Sequence, residues 1–511
     1  MQFTRRRFFK TITGGVTWGL AGSARPRLAL AAGRAQTISI FHTTDLHVRI
    51  LPTETYDGLR DVGGLARCAS CIRQWRREVP DSLTVDVGDV VQGTPASFAS
   101  EGRLMIDLFN TVGYDAWAIG NHDFDWGREP LESLLDHSHQ SILSANLELG
   151  GRATGQLGGS WEKVLPRQLH DVGGFKVALI GLTTPGLTTW LPPETLGGVL
   201  PTDPVAALDR SVAAAQAEGA EAIVVIGHMG WRFRDNYSNP LRELLRNARG
   251  VDVYLAGHSH QNQPSFRLHD VLCSQASYYG IHCGRVDLTF DRESRKIVES
   301  QAYTLLMDDR FDLDPAVMQR ARPDLAQAEE ELLRIVCTVA EPIQGGGRGS
   351  GVVTLLCETF AASLARQKHP VDGVFHGSFG TELIPPGELT VGDCWNLVPY
   401  DNRLVTVELT ARELAGIVAE DAGDKFSDRT LWPFTVHFDA SGQPTQLIYR
   451  DRLVKPDERF TIAVNSYDSQ SGGQRLRKLR AACESPKAQR RFTSLDSRTA
   501  LIEGLLERGS I

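Results

Sequence analysis

Residues 116–125 read Ala116-Trp117-Ala118-Ile119-Gly120-Asn121-His122-Asp123-Phe124-Asp125. A short apolar run ends at a glycine, and an amide, an imidazole and two carboxylates follow it directly. An ordinary turn after a strand does not need so many side chains of the kinds that bind metal ions. The stretch therefore predicts a strand that ends at a metal site.

The same arrangement recurs along the chain. Four further apolar runs, at 38–41, 83–87, 222–226 and 251–255, are followed closely by histidine or aspartate. Amphipathic helical patterns lie between the runs, and this alternation predicts an α/β domain. Because ligands bind at the carboxyl ends of strands in such sheets, we expect the five polar ends to converge on one rim.

The polar ends supply carboxylate, amide and imidazole groups, which suit divalent Mn, Fe or Zn. No cysteine lies in these motifs, which disfavours a thiolate zinc site. The candidate ligands are Asp45, His47, Asp89, Asn121, His228, His258 and His260. Seven ligands are too many for one tetrahedral ion but suit two ions about 3.5–4 Å apart, which can activate a bridging hydroxide for attack on phosphorus.

The motifs Asp-x-His, Gly-Asp, Gly-Asn-His-Asp, Gly-His and Gly-His-Ser-His occur in this order between residues 38 and 288. Together they resemble the calcineurin-like metallophosphoesterases. The Asn-His-Asp-Phe-Asp string and the domain that follows resemble the bacterial 5′-nucleotidase and 2′,3′-cyclic phosphodiesterase group. The resemblance implies an N-terminal β-sandwich flanked by helices (αββα) and a C-terminal α/β substrate domain of the 5′-nucleotidase type.

The resemblance also implies a role for each residue of the motifs. His122 would stabilise the phosphoryl transition state or the leaving oxygen, and Asp125 would orient His122. Asp89 would bridge the two ions. The first ion would be held by Asp45, His47, Asp89 and His260, and the second by Asp89, Asn121, His228 and His258.

In the second domain, Tyr400 and Asn402 stand where the family has a stacking aromatic and an asparagine, and Tyr467 falls within one residue of the second stacking position. Two aromatic rings can sandwich a purine or another planar group. The alternative to substrate binding, for either tyrosine, is ordinary packing. These three residues are therefore candidate substrate-binding residues.

The second domain also departs from the family. No arginine stands at the position of the family's phosphate-gripping arginine, where Thr381 or Glu382 is found, and Gln474 replaces an aspartate that would bind the ribose. Arg348, in the glycine-rich stretch 344–351, is the candidate replacement, because a guanidinium fork suits a phosphate. The lost arginine predicts weak activity on common nucleoside monophosphates.

The length of 511 residues predicts two or three domains. We expect a metallophosphoesterase domain at 36–305, a helical linker at 306–344 and a substrate domain at 345–511. The sheet signal fades after residue 290, and residues 312–339 contain a long helical pattern. The net charge of -8 argues against binding to a nucleic-acid polymer.

Residues 1–31 read as a twin-arginine signal peptide. Consecutive arginines at 5–7 precede two aromatics and Lys10, and a weakly apolar stretch leads to Ala29-Leu30-Ala31. No later run approaches the ~20 apolar residues of a membrane span. We therefore expect a periplasmic or otherwise exported protein whose partners are the twin-arginine export machinery and a small phosphoester.

Several other residues have simpler interpretations. Cys68 and Cys71 lie three apart on a predicted helix at 65–78, where helical packing competes with a local disulfide. Cys273 and Cys283 form another candidate pair. Two histidines, His137 and His139, are predicted to be surface residues.

The function that the sequence favours is a two-metal phosphoesterase with altered substrate selection. One alternative is a sulfur-oxidation hydrolase, which resembles these enzymes in its two-metal scaffold. A second alternative is a metal-containing binding protein without catalysis, although the intact residues Asn121, His122 and Asp125 argue against it.

Overall fold

The computed structural model describes residues 34–98, 100–380, 383–424 and 427–511. The predicted signal peptide and the altered positions Thr381 and Glu382 lie outside the described residues. In the part that is described, no helix is long and apolar enough to cross a membrane.

The predicted N-terminal sheet forms, with most of its strands parallel. Its central pairs join Ala35–Thr43 to Ser82–Asp86 and Ser82–Asp86 to Ala116–Ala118 in parallel, so their carboxyl ends meet at one edge. In spatial order its strands are Lys296–Leu306, His282–Asp291, Ala35–Thr43, Ser82–Asp86, Ala116–Ala118, Ser141–Leu143 and Val164–Leu165.

A second sheet packs face to face on the first. Apolar side chains of both inner faces form one core, in which the rings of Phe175 and Phe290 stack at 4.2 Å. In spatial order its strands are Asn262–Leu268, Val271–Ala276, Val253–Ala256, Ala222–Gly227, Phe175–Leu182 and Arg167–Val172.

Helices cover the outer faces of both sheets, which confirms the predicted αββα sandwich. One apolar cluster lies between the first sheet and its helices, and another lies between the second sheet and its helices. The helices of this half are Leu65–Glu78, Arg103–Val112, Arg128–His137, Leu187–Trp190, Pro193–Leu196, Pro204–Ala217 and Leu241–Asn247. A small three-stranded sheet (Val199–Pro201, Leu147–Leu149, Arg152–Ala153) lies beside it.

The second half of the chain is built on a five-stranded sheet with apolar clusters on both faces. Its strands are Thr430–Trp432, Gly373–His376, Arg459–Asn465, Arg403–Thr410 and Arg491–Asp496. A three-stranded sheet holds Phe434–Phe438, Pro444–Tyr449 and Arg452–Leu453. The helices are Pro315–Leu333, Gly351–Arg366, Val391–Leu397, Ala411–Ala422, Ser466–Ser469, Arg477–Glu484 and Ser497–Arg508.

The structure adds detail in the middle of the chain. After residue 290, where the sheet signal fades, Lys296–Leu306 adds an edge strand whose mostly polar, partly exposed residues give little apolar signal. The helical pattern at 312–339 continues only to Leu333, and Ile335–Val339 is a strand paired with Gly387–Thr390. Residues 335–339 are rich in β-branched side chains, and their pairing with a distant segment makes them a strand rather than a continuation of the helix. The domain division stays a prediction.

The structure also shows the state of the cysteines and of His137 and His139. All eight cysteines are buried free thiols, so neither candidate disulfide is formed. His137 contacts Asp107 at 2.5 Å and keeps a partly exposed side chain, and His139 is exposed.

Candidate metal centre

Six of the seven candidate ligands come together as two groups at the carboxyl ends of the strands. The ligand atoms of Asp45, His47 and His260 lie within 4.8 Å of one another, and so do those of Asp89, His228 and His258. Asp89 links the groups, because its Oδ2 lies 3.0 Å from His228 Nε2 and 3.7 Å from His47 Nε2. Asn121, the seventh, is buried and lines the same cavity as Asp89 and His258.

The backbone is strained at most of these positions. Five of the seven residues have positive φ angles between 44° and 65°, and they are Asp45, His47, Asp89, His258 and His260. Non-glycine residues seldom adopt this conformation, which costs of order 1–3 kcal/mol each and persists only where the surroundings impose it. Such clustered strain is a mark of a functional site.

Asp123 fixes the loop that carries Asp89. Its buried carboxylate accepts hydrogen bonds from the backbone N–H groups of Asp89, Val90 and Val91, at 2.8–3.2 Å, and from that of Gly120, at 2.8 Å. Gly120 permits this approach, since a Cβ there would lie 2.2 Å from Asp89 Oδ1. Sequence reasoning assigned Asp123 no role, although its place in the Asn-His-Asp string was the available signal.

Two of the histidines, His228 and His47, are each held by one ring nitrogen, with the other directed to Asp89. His228 Nδ1 donates to the carbonyl of Val87 at 2.8 Å, and His47 Nδ1 donates to the carbonyl of Gln92 at 3.1 Å. The buried atoms His47 Nε2 and Asn121 Oδ1 have no hydrogen-bond partner. Such orphaned buried atoms are costly unless a ligand satisfies them. The residues present therefore fit divalent metal ions.

The electrostatics of the centre also favour cations. Burial lowers the pKa of His47 and of His258 to about 3, which keeps both imidazoles in the neutral form that binds metals. Burial alone would raise the pKa of Asp89, but His228 and the other nearby histidines outweigh it, and the pKa lies well below its usual range. Burial opposes the charged form of His228, but Asp89 raises the pKa of His228 to about 9. An ionised carboxylate and two neutral imidazoles thus share one small space with His228.

His122 and Asp125 form the predicted pair beside the centre. His122 Nδ1 donates to Asp125 Oδ2 at 2.8 Å, and the backbone N–H of His122 donates to Asp89 Oδ1 at 2.8 Å. Burial opposes the charged imidazolium, but Asp125 and Asp89 raise the pKa of His122 to about 10. The pair therefore places a proton-bearing ring beside the candidate ligands.

A cavity of about 630 Å³ leads from the centre into the second half of the chain. Tyr400, Asn402 and Tyr467 line it together with Asp89 and His122, so the structure brings these predicted substrate residues to the centre. Tyr400 is 49% exposed, which leaves much of its ring accessible. We refer to this space as the first cavity.

Arg348 does not line the first cavity. Its guanidinium binds the Asp421 carboxylate and donates to the carbonyls of Arg429 and Asp421, at 2.7 and 2.8 Å. Arg429 lines the cavity instead and is held by Asp468 at 2.9 and 2.7 Å. Sequence reasoning missed Arg429, because none of the quoted motifs includes that position.

Two family matches agree with this geometry. Residues 38–262 match the calcineurin-like phosphoesterase family, and residues 343–480 match the C-terminal domain of 5′-nucleotidases. Residues 38–262 therefore form a calcineurin-like phosphoesterase domain. The resemblance noted from the motifs is thereby confirmed for each half of the chain by its own family match.

Relatives in sequence include an endonuclease and several 5′-nucleotidases. Endonuclease YhcR of Bacillus subtilis (strain 168) is 25% identical over 83% of this chain and 36% of its own length. Snake venom 5′-nucleotidase of Gloydius brevicauda is 31% identical over 57% of this chain and 51% of its own length. The chain thus spans about half or less of the length of these relatives.

Solved structures share the two-domain fold. A putative 5′-nucleotidase from Staphylococcus aureus has a TM-score of 0.75 at 19% identity, covering 92% of this chain and 96% of that one. The sulfate thiohydrolase SoxB of Thermus thermophilus has a TM-score of 0.61 at 18% identity, covering 93% and 94%. At these identities the likeness concerns the fold alone.

Proposed function

We propose that this protein is a metal-dependent hydrolase of phosphate esters, acting on nucleotides or related compounds. The observation that carries the proposal is the pair of ligand groups at one sheet edge, with orphaned ligand atoms and the His122–Asp125 pair beside them. The calcineurin-like phosphoesterase domain and the 5′-nucleotidase relatives support it.

The proposed ligands of the first ion are Asp45, His47, Asp89 and His260, and those of the second are Asp89, Asn121, His228 and His258. Mn, Zn and Fe suit this mixture of carboxylate, amide and imidazole groups. When bound, two such ions supply Lewis-acid stabilisation of the phosphoryl oxygens and an activated water.

His122 is proposed to act on the departing ester oxygen. Asp125 fixes the ring through Nδ1, which leaves Nε2 to face the cavity and to hold or deliver a proton. A positioned donor at developing charge contributes strongly to catalysis. Tyr400 and Tyr467 provide aromatic surfaces for the organic group of the substrate, and Asn402 provides an amide beside them.

The experiment is turnover of p-nitrophenyl phosphate, bis-p-nitrophenyl phosphate, AMP and a thiosulfonate, with Mn and with chelator. We expect Mn-dependent release of p-nitrophenol and weak activity on AMP. Release of sulfate without phosphoester turnover would favour the thiosulfohydrolase alternative, for which SoxB supports only the shared fold. Two bound metals with no turnover would favour the non-catalytic alternative.

The role of His122 has its own test. His122→Asn should lower turnover about 10²–10³-fold with metal content nearly unchanged, because the ring acts on the substrate rather than on the ions. His139→Asn, at an exposed histidine outside the site, is the matched control. Unchanged turnover in His122→Asn would refute the role.

We further propose export through the twin-arginine pathway to the periplasm or beyond. The support is the arginine run at 5–7 and the small residues at 29–31. Replacing Arg6 and Arg7 by lysine should retain the protein in the cytoplasm, as fractionation of cells would measure. Unaltered export of this double variant would refute the proposal.

A further inference from the structure

A second cavity, of about 1120 Å³, opens on the candidate metal centre from another side. It reaches His47, a candidate ligand that the first cavity does not touch. The two cavities share five lining residues, and these are His122, His260, Ser378, Phe379 and Tyr400. A phosphorus atom at the centre therefore has open space in two directions.

The second cavity has a lining suited to an organic ring. Tyr56, Tyr279 and Trp395 line it, and Tyr56 is 68% exposed although its ring stacks on Tyr278 at 4.3 Å. Arg49 adds a cation, with its Cζ 4.6 Å from the centroid of the Tyr279 ring. Arg49 Nε is buried and has no hydrogen-bond partner.

The number of cavities beside the centre indicates how many organic groups the substrate phosphate can carry. A phosphomonoester has one organic group and needs only one cavity beside the centre. An acyclic phosphodiester has two organic groups, which leave phosphorus in different directions. Ligand pockets are typically about 300–1,000 Å³, so each cavity has room for a group as large as a nucleoside.

We propose that the second cavity is a subsite for the second organic group of an acyclic phosphodiester whose first group lies in the first cavity. The inference rests on the proposed phosphoesterase function. Hydrolysis adds the oxygen of water to phosphorus and breaks the bond from phosphorus to one ester oxygen. That oxygen takes a proton, and an alcohol and a monoester are released. His122 borders both cavities and so lies beside either ester oxygen.

Asn396 offers a way to fill the second cavity without touching the centre. It lines that cavity on the helix Val391–Leu397 and is exposed, so a larger side chain does not disturb the core. Asn396→Trp would occupy the cavity, and Asn396→Ala at the same position is the matched control. The probes are adenylyl-(3′→5′)-adenosine, a diester, and AMP, the monoester that lacks its second nucleoside.

We expect Asn396→Trp to lower kcat/KM for the diester about ten-fold relative to kcat/KM for AMP, mainly through KM. Asn396→Ala should keep the ratio of the unaltered protein. An equal change for both esters in Asn396→Trp, which leaves the ratio unaltered, would overturn the inference, and so would turnover of AMP without turnover of the diester by the unaltered protein. If the unaltered, metal-loaded protein hydrolyses no phosphoester, the proposed function fails. Turnover with a ratio that does not respond to Asn396→Trp refutes the subsite alone.

Discussion

The two walls of the first cavity differ in how tightly they are determined. On the wall from the calcineurin-like half, Asp89 and Asn121 are almost fully buried, and the backbone N–H of Asp89 donates to the Asp123 carboxylate. On the opposite wall, Tyr400 is half exposed. The family motifs therefore carry over residue by residue on the first wall, where many constraints act together. In the half that forms the second wall the motifs carry over less completely, since Gln474 stands in place of the family's aspartate.

The largest expected effect is on the constrained wall. Asp89→Asn removes the carboxylate that links the two ligand groups and should lower both metal content and turnover. We expect a loss of turnover greater than about 100-fold, since supporting residues of metal sites alone cost 10–100-fold. Metal analysis and p-nitrophenyl phosphate hydrolysis are the measurements. Asp136→Asn, at an exposed aspartate, is the control. Full activity with both metals bound would contradict the comparison.

The same contrast explains what was predictable from the sequence. The strand at 116–118 and its polar end were predictable, because a buried apolar run and a ligand motif agree there. The left-handed backbone of His258 and the role of Asp123 were not, because both depend on contacts between separate loops. The position of Arg348 was also beyond prediction, since its partner Asp421 lies 73 residues away and carries no motif.

A variant of Arg348 tests whether this arginine stabilises the fold of the second half or binds the substrate phosphate. If it serves the fold, Arg348→Ala leaves the buried Asp421 with a weaker set of partners and leaves the KM for phosphoesters unchanged. We expect a loss of about 1–2 kcal/mol in unfolding free energy, at the low end for charged hydrogen bonds because the Arg348 side chain is 33% exposed. The urea midpoint measures this, with Arg366→Ala, which breaks the more exposed pair with Glu507, as the control. A ten-fold rise in KM at unchanged stability would instead place Arg348 at the substrate phosphate.

The smallest expected effect concerns His42, which lies in the buried strand Ala35–Thr43, three residues before Asp45, and is not a candidate ligand. It is fully buried, its Nε2 lies 3.2 Å from Ser274 Oγ, and burial lowers its pKa to about 3. In the unfolded chain a histidine titrates near pH 6.5. Between these values the unfolded state binds a proton that the native state excludes. The free energy of unfolding therefore falls as the pH drops below about 6.5, by at most about 1.4 kcal/mol per pH unit.

His42→Gln keeps a polar group but removes the titration. With chelator present throughout, its urea midpoint should therefore fall less between pH 7.5 and 5.5 than that of the unaltered protein. Equal decreases would show that burial does not hold His42 neutral, and that water reaches the strand Ala35–Thr43 behind the candidate ligands.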